Sequence, residues 1–280
     1  MKKIGFIDYY ISEWHANNYP AWIENEANAN GLSYKVAYAW AEKDISPVDG
    51  RSTDKWCEDF GVTRCQSIDE LCEKSDVIVI LAPSDPDKHL AYVKEAFKFG
   101  KPTYVDKTFA PDLATAKEIF SLGEKYGTPF FSSSALRYTS ALSDLPKLKM
   151  ITTTGGGSNF PEYSVHQAEM VIAALKQSPT AVKVEKQGKQ YCVSVKLTEN
   201  CAATMLYSPP LGFTLTAEDG EGNVIHRQAN DAFFNALIKD MIRFFETKTV
   251  SFDVNETLEV MKLREAAIKG TENLNTWINV

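Results

Sequence analysis

The sequence predicts an α/β protein in two parts: a doubly wound parallel sheet, followed by an α+β domain on a largely antiparallel sheet. Three observations carry that expectation. Over the first half, short β-rich apolar runs alternate with helical stretches, the pattern of a parallel sheet covered by helices. In the second half, strand-like runs follow one another with few helices between them. The chain has 280 residues, more than a single hydrophobic core usually organises. The boundary is expected near residue 135, giving domains 1–135 and 136–280.

The first strand is Ile4–Ile7, and Asp8 ends its apolar run. Further strands are expected at Tyr34–Trp40, Asp76–Ala82, Thr103–Asp106 and Phe130–Ser133. "SIDE" at 67–70 is a capping box, in which Ser67 caps the helix and Glu70 reaches back. Pro111 opens another helix, where its missing N–H costs nothing. Beyond residue 135, strand-like runs cover 148–154, 180–187, 190–197, 201–207 and 213–218, and one helix, Pro161–Lys176, interrupts them. Two helices near 230–246 and 255–272 close the chain, the last a candidate to pack back on the first domain. The only glycine cluster, 155–157, permits a tight bend and would let a ligand approach the backbone. No Gly-Lys-Ser/Thr follows it, so it is not a P-loop.

Composition narrows the partners. A formal charge of −7 with no Lys/Arg block lacks the positive field that nucleic acid or an anionic membrane requires. A small-molecule substrate is the expectation. The five cysteines (57, 65, 72, 192, 201) form no CxxC pair, which suits reduced thiols and a cytoplasmic protein. The opening apolar run is too short for a membrane or secretory segment.

In open parallel sheets ligands bind beyond the carboxyl ends of the strands. Three stretches fall there: "APSDPDKH" (82–89), "DKT" (106–108) and "SALRY" (134–138). Lys107 could hold a substrate hydroxyl or donate a proton; its plain alternative is a salt bridge at the sheet edge. Glu162, His166 and Glu169 lie at helical offsets of four and three, so they share one face beside the apolar stripe of Val165, Ala168, Ile172 and Leu175. A histidine between two carboxylates gains basicity and suits proton transfer near neutrality. The alternatives are a surface histidine in a local salt bridge and, ranked lower, a metal site. No metal is assigned. His89 borders a helix, where a structural hydrogen bond is its plain role. His15 and His226 carry no functional mark.

These pieces suggest a family. "GVTRCQSIDELCEKSDVIVILAPSDPDKHLAYVKEAFKFGKPTYVDKTFA" (61–110), "SSSALRY" (132–138), "GGGSNFPEYSVHQAEM" (155–170) and "NETLEVMKLREAAIKG" (255–270) resemble the Gfo/Idh/MocA oxidoreductases, the glucose-fructose oxidoreductase and inositol dehydrogenase family. The resemblance runs over nearly the whole chain. It implies a Rossmann-like first domain and NAD or NADP as cofactor. The implied reaction is oxidation or reduction of a carbon on a sugar, polyol or related small hydroxy compound. Asp106-Lys107-Thr108 stands where the family has Glu-Lys-Pro, and Glu162 with His166 stands for its Asp-x₃-His. Lys107, His166 and Glu162 are therefore the catalytic candidates. Arg137, Tyr138 and Glu169 are the substrate-binding ones. Asp8, Tyr10, Pro83, Ser84, His89 and Asp106 face the cofactor in this reading. Family members often associate, which implies a homodimer or higher homo-oligomer.

The chain departs from the pattern at its first turn. In "IGFIDYYISEWHA" (4–16) the places of the family's Gly-x-Gly-x-x-Gly fall near Asp8, Tyr10 and Glu13, and none is glycine. Those glycines let a backbone approach pyrophosphate at a helix N-terminus. Two unit charges about 4 Å apart near a surface interact by roughly 4 kcal/mol, and half of that is already more than tenfold in affinity. The strand Tyr34–Trp40 also ends at tryptophan where a ribose-binding acid is expected, with Glu42 two residues late. Three functions follow. One is a nicotinamide-dependent oxidoreductase with a degenerate dinucleotide site. Another is a carbohydrate-binding or regulatory protein that has lost NAD(P). The third is a cofactor-independent or metal-assisted lyase or isomerase.

Overall fold

Apolar β-branched runs build the first sheet of this computed structural model, which describes residues 1–280. In chain order the first half holds β1 (Lys2–Asp8), α1 (Trp14–Ala29), β2 (Tyr34–Ala41), α2 (Thr53–Phe60), β3 (Thr63–Arg64) and α3 (Ile68–Lys74). It continues with β4 (Val77–Ile80), α4 (His89–Ala96), β5 (Thr103–Val105), α5 (Leu113–Tyr126) and β6 (Phe130–Phe131). The six strands are parallel, in the order β3-β2-β1-β4-β5-β6. Every residue of β4, Val-Ile-Val-Ile, is buried, as a central parallel strand covered on both faces must be. Each such side chain contributes about 1.5–3 kcal/mol on burial. The strand order reverses between β1 and β4, which places the ligand-binding end of the sheet at the residues just after β1, β4 and β5.

The second half contains β7 (Leu148–Gly155), α6 (Phe160–Leu175), β8 (Pro179–Gln187), β9 (Gln190–Leu197), β10 (Ala202–Tyr207), β11 (Thr214–Asp219) and β12 (Val224–Gln228). Then come α7 (Phe233–Thr247), α8 (Glu256–Gly270) and β13 (Ile278–Asn279). Its seven-stranded sheet runs β12-β11-β7-β10-β9-β8-β13, antiparallel except for β7 beside β10. Ile151, Val193, Val195, Met205 and Leu215 are buried on the face that meets α6 and α8. β13 covers part of the β8 edge, which would otherwise present unpaired backbone.

By its contacts the chain divides into two compact units. One comprises Met1–Ser132 with Leu237–Phe252, the other Ser133–Ala236 with Asp253–Val280. The helix that joins the first unit is therefore α7 and not the last one. Its aromatic end explains this: Phe244 packs on Phe131 with ring centres 4.9 Å apart, Phe245 stacks near Tyr34, and Glu246 accepts from Tyr34 Oη at 2.7 Å and pairs with Lys2 at 2.9 Å. α8 packs on α6 and β8 instead, with Arg264 Nε donating to the Pro161 carbonyl at 3.1 Å.

Local signals are realised with small shifts. Ser67 Oγ accepts from the Glu70 amide at 3.1 Å, and Glu70 reaches back to the Gln66 amide at 2.7 Å. α5 starts two residues after Pro111, because Asp112 is its cap and accepts from the Thr115 amide at 2.7 Å. β3 and β13 span two residues each, too short to show alternation. No helix is long and apolar enough to cross a membrane. All five cysteines are unpaired, and burial pushes the Cys72 thiol up to about 12.

Candidate functional site

In the first unit, the chemistry gathers at the carboxyl ends of β1, β4 and β5. Lys107 is half-buried and its ammonium donates to the Pro83 carbonyl at 2.6 Å, bracing the turn after β5 against the turn after β4. On either side of it sit Asp106 and Thr108, both buried. Asp106 Oδ1 accepts from Tyr104 Oη at 3.0 Å, while its Oδ2 and Thr108 Oγ1 are buried without a hydrogen-bond partner. Thr108 and Ala82 both hold left-handed backbone, with φ of 55° and 64°. A β-branched residue is disfavoured there, and such strain concentrates at functional turns. His89 is fully buried, with Nδ1 3.0 Å from the Phe109 carbonyl and Nε2 on that of Leu81. It ties the two turns together from inside the fold, which leaves it a structural role rather than a cofactor-facing one. Ser84 is exposed on the turn after β4.

The turn between β1 and α1 is closed by its own side chains. Glu13 caps α1: Oε1 accepts from the Ala16 amide, and Oε2 accepts from the His15 amide at 2.9 Å and lies 2.9 Å from His15 Nδ1. Asp8 Oδ1 accepts from the amides of Tyr9 at 2.7 Å and Ala82 at 3.0 Å; its Oδ2 is buried without a partner. Burial, and next the negative charge of Glu13, hold the Asp8 carboxyl well above the usual carboxylate range. Tyr10 is half-buried beside Tyr9, ring centres 5.8 Å apart. β2 extends to Ala41, so Glu42 is the first residue past the strand rather than two positions late. Its carboxylate accepts from Lys88 Nζ at 2.6 Å and Tyr92 Oη at 2.9 Å.

In the second unit, α6 opens with Pro161 in its first turn and Asn159 as cap. Asn159 Oδ1 accepts from the Glu162 amide at 2.9 Å, and Glu162 Oε2 accepts from Ser158 Oγ and Asn159 Nδ2, each at 3.0 Å. Glu162 is thus held among the side chains that cap α6. One turn on, His166 is half-buried between the rings of Tyr163 and Phe213, with Nδ1 2.7 Å from Ser134 Oγ. Glu169 faces the interior. It accepts from Arg137 Nε, from the Ser134 amide at 3.3 Å and from Ser133 Oγ at 3.4 Å, while Arg137 Nη1 reaches Glu256 at 2.6 Å. Arg137 and Glu169 therefore build the frame around His166. Tyr138 is half-buried on the same turn.

Ser134 is the residue that reading by motif overlooks. It bonds His166 through its hydroxyl and Glu169 through its amide, and its Oγ accepts from the Leu136 amide at 3.2 Å. The signal was a serine directly before a short helical turn, a cap position. The glycine cluster, in turn, serves the chain's own packing: a Cβ on Gly156 would lie 2.1 Å from the Ser208 carbonyl oxygen. No group of three or more His, Cys, Asp or Glu is arranged to hold a metal ion.

A parallel sheet in the order β3-β2-β1-β4-β5-β6 with its polar residues at the β1/β4 switch point is the doubly wound Rossmann arrangement, and a largely antiparallel sheet with two covering helices follows it. Residues 43–134 match the Gfo/Idh/MocA model, described as an oxidoreductase family with an NAD-binding Rossmann fold. A 66-residue stretch is 38% identical to an uncharacterized oxidoreductase, YhhX, of Escherichia coli K12; it spans 22% of this chain and only 19% of that protein. Among solved structures, the fold resembles myo-inositol dehydrogenase of Lactobacillus casei in complex with NAD(H) and myo-inositol, with a TM-score of 0.81 at 11% identity over 100% of this chain and 96% of that one. Myo-inositol 2-dehydrogenase of Lactobacillus plantarum is similar, with a TM-score of 0.79 at 12% identity over 100% and 99% of the two chains. Residues 43–134 thus match an oxidoreductase family model, and the chain as a whole shares the fold of these dehydrogenases.

The family model begins its match at residue 43, beyond the altered turn. A dinucleotide in the usual Rossmann pose sets its pyrophosphate on the free amides of the first helix. Here Glu13 already occupies the amides of His15 and Ala16, and Asp8 stands behind it. These residues do not fit a diphosphate in that pose.

Proposed function

We propose that the chain recognises a sugar, polyol or related small hydroxy compound, with His166 of the second unit handling a hydroxyl. The match of residues 43–134 to an oxidoreductase family supports, for the enzyme reading, oxidation or reduction of the hydroxyl-bearing carbon with hydride exchanged with a nicotinamide cofactor. The observation that supports the reading is the ordering of His166. Ser134 holds Nδ1, and the buried Arg137–Glu169 pair holds Ser134, so the imidazole keeps one orientation. Proton exchange with a hydroxyl then passes through Nε2, a role suited to imidazole near neutral pH. Lys107 supplies a fixed ammonium donor in the first unit, Arg137 and Glu169 act by holding the frame around His166, and Glu162 acts in the cap of α6.

Calorimetric titration with myo-inositol and a panel of sugars and polyols tests this. Saturable binding by one of them, lost in His166→Ala while circular dichroism stays unchanged, is the expected result. Binding that survives the change, or no binding by any compound in the panel, overturns it. A second reading, a carbohydrate-binding or regulatory protein that transfers no hydride, is favoured by Glu13 on the first helix. Reduction of NAD⁺ or NADP⁺ in the presence of the bound compound selects the enzyme; binding without reduction selects the second reading. We also propose that two copies pair through the outward face of the second sheet, where Met150, Thr152, Thr204 and Leu206 stand on β7 and β10. Sedimentation showing only monomer overturns that.

A further inference from the structure

An α-helix begins with amides that have no partner within the helix, and together with its dipole they attract an anion. In α1 that anion is part of the chain. The Glu13 carboxylate takes three donors: the amides of His15 and Ala16 and the His15 imidazole. Glu13 is 5% exposed, and Ile11 and Ser12 before it are 1% exposed each. The carboxylate is therefore not a side chain lying loosely over an open site.

The rest of the turn is fastened as well. The Tyr9 amide donates to Asp8 Oδ1, and the Glu13 amide to the Ile11 carbonyl at 3.0 Å. Ser12 Oγ donates to Asp49 Oδ2, and Ser46 Oγ to the Ser12 carbonyl, both at 2.7 Å, so the loop after β2 locks the turn from outside. The place is also saturated in charge. Asp8, buried beside Glu13, is already driven toward its neutral form, and a diphosphate would bring further negative charge to it.

We propose that the Glu13 carboxylate is an internal substitute for the phosphate such a helix start would otherwise bind, so that the start of α1 is satisfied without a dinucleotide. The inference is independent of the roles given to Lys107 and His166. Its failure would leave hydroxyl recognition untouched.

The test is removal of the substitute and rescue by the real anion. Glu13→Ala strips two amides of their acceptor, and the loss of such a cap lowers the melting temperature by about 2–4 °C. The variant is paired with Asp8→Asn, because Asp8 freed from Glu13 could ionise and repel the probe. Inorganic pyrophosphate, compared with sodium chloride at matched ionic strength, is expected to restore the melting temperature of the double variant and to leave the wild type unmoved. Calorimetric titration of the wild type with NAD⁺, NADH, NADP⁺ and NADPH is expected to give no saturable binding. Equal stabilisation of wild type and variant by pyrophosphate, or no rescue of a folded variant, overturns the proposal. Should the variants not fold, the wild-type titration decides alone: micromolar binding of any dinucleotide overturns the proposal, and silence with all four supports it.

Discussion

Replacing Glu169 by leucine cuts the frame around His166 at its most buried point. The side chains of Arg137 and Glu169 are 7% and 5% exposed, and that of Glu256, the second acid on the guanidinium, is 15% exposed. Burial works against the charge of Arg137, but Glu169 and Glu256 outweigh it and keep the guanidinium charged. With Glu169 gone, Arg137 stays buried with one acid instead of two, and breaking a buried pair from one side costs about 3–5 kcal/mol. The Ser134 amide also loses its acceptor, worth about 1 kcal/mol more. Urea unfolding followed by far-UV circular dichroism should therefore show Glu169→Leu destabilised by about 3–6 kcal/mol. The pair Arg137→Met with Glu169→Leu should recover most of that, since removing both charges removes the unpaired one. A single-variant loss below about 1 kcal/mol, the value of an ordinary exposed pair, would refute the reasoning, and so would strict additivity of the two changes.

Three further outcomes are expected. Asp8 has a folded-state pKa above the unfolded carboxylate value, about 3.9. Its contribution to stability is whole below about pH 4 and is lost as pH rises through the folded value, by up to about 1.4 kcal/mol per pH unit. Asp8→Asn, which keeps the acceptor for Tyr9 and Ala82, should thus gain on the wild type steadily as pH rises from acid to neutral; a melting-temperature difference flat in pH contradicts this. Ser134→Ala removes the partner of His166 Nδ1, so the His166 ring ¹⁵N resonances should shift while those of His226 stay, and the affinity for the hydroxy compound should fall about fivefold, the equivalent of one hydrogen bond. Unmoved His166 resonances would remove Ser134 from its positioning role. Tyr34→Phe should cost about 1 kcal/mol through the lost bond to Glu246, and Lys2→Ala, which breaks an exposed pair, clearly less; urea midpoints that rank them the other way would be inconsistent with α7 docking through the phenol.

How far the sequence disclosed this fold follows from where its signals are local. β4 is a bare apolar run between a serine-capped helix and a proline-rich turn, and nothing outside that stretch is needed to recognise it. β3 has two residues and exists because β2 offers it a neighbour at Tyr38 and Ala39. The same distinction sorts the closing helices. α7 is strongly amphipathic and α8 only weakly so, and in neither does the pattern say against what the helix packs. Phe131 and Tyr34 for α7, and Pro161 and Val184 for α8, lie far away along the chain, Tyr34 at a separation of 212 from Glu246, and their faces are set only by folding.

At the site the division falls between identity and orientation. Lys107 and His166 could be selected because they fall where the resembled family carries its lysine and histidine, although each also had a plain structural reading. Glu162 and Glu169 share the helical face of His166, and the spacing treats all three alike. What separates them is the turn facing α6. Arg137 draws Glu169 inward, Asn159 engages Glu162 in the cap, and Ser134 is left to meet His166. At the opposite end of the chain the loss of glycine from 8–13 was plain in the letters, and its cost to a diphosphate could be argued from charge alone. That Glu13 turns inward to cap its own helix, rather than standing in the solvent to repel, depends on Ser46 and Asp49 fastening the turn from beyond β2. A carboxylate in that position is a defect for one ligand and a complete structure for the protein, and only the hydrogen bonds it accepts distinguish the two.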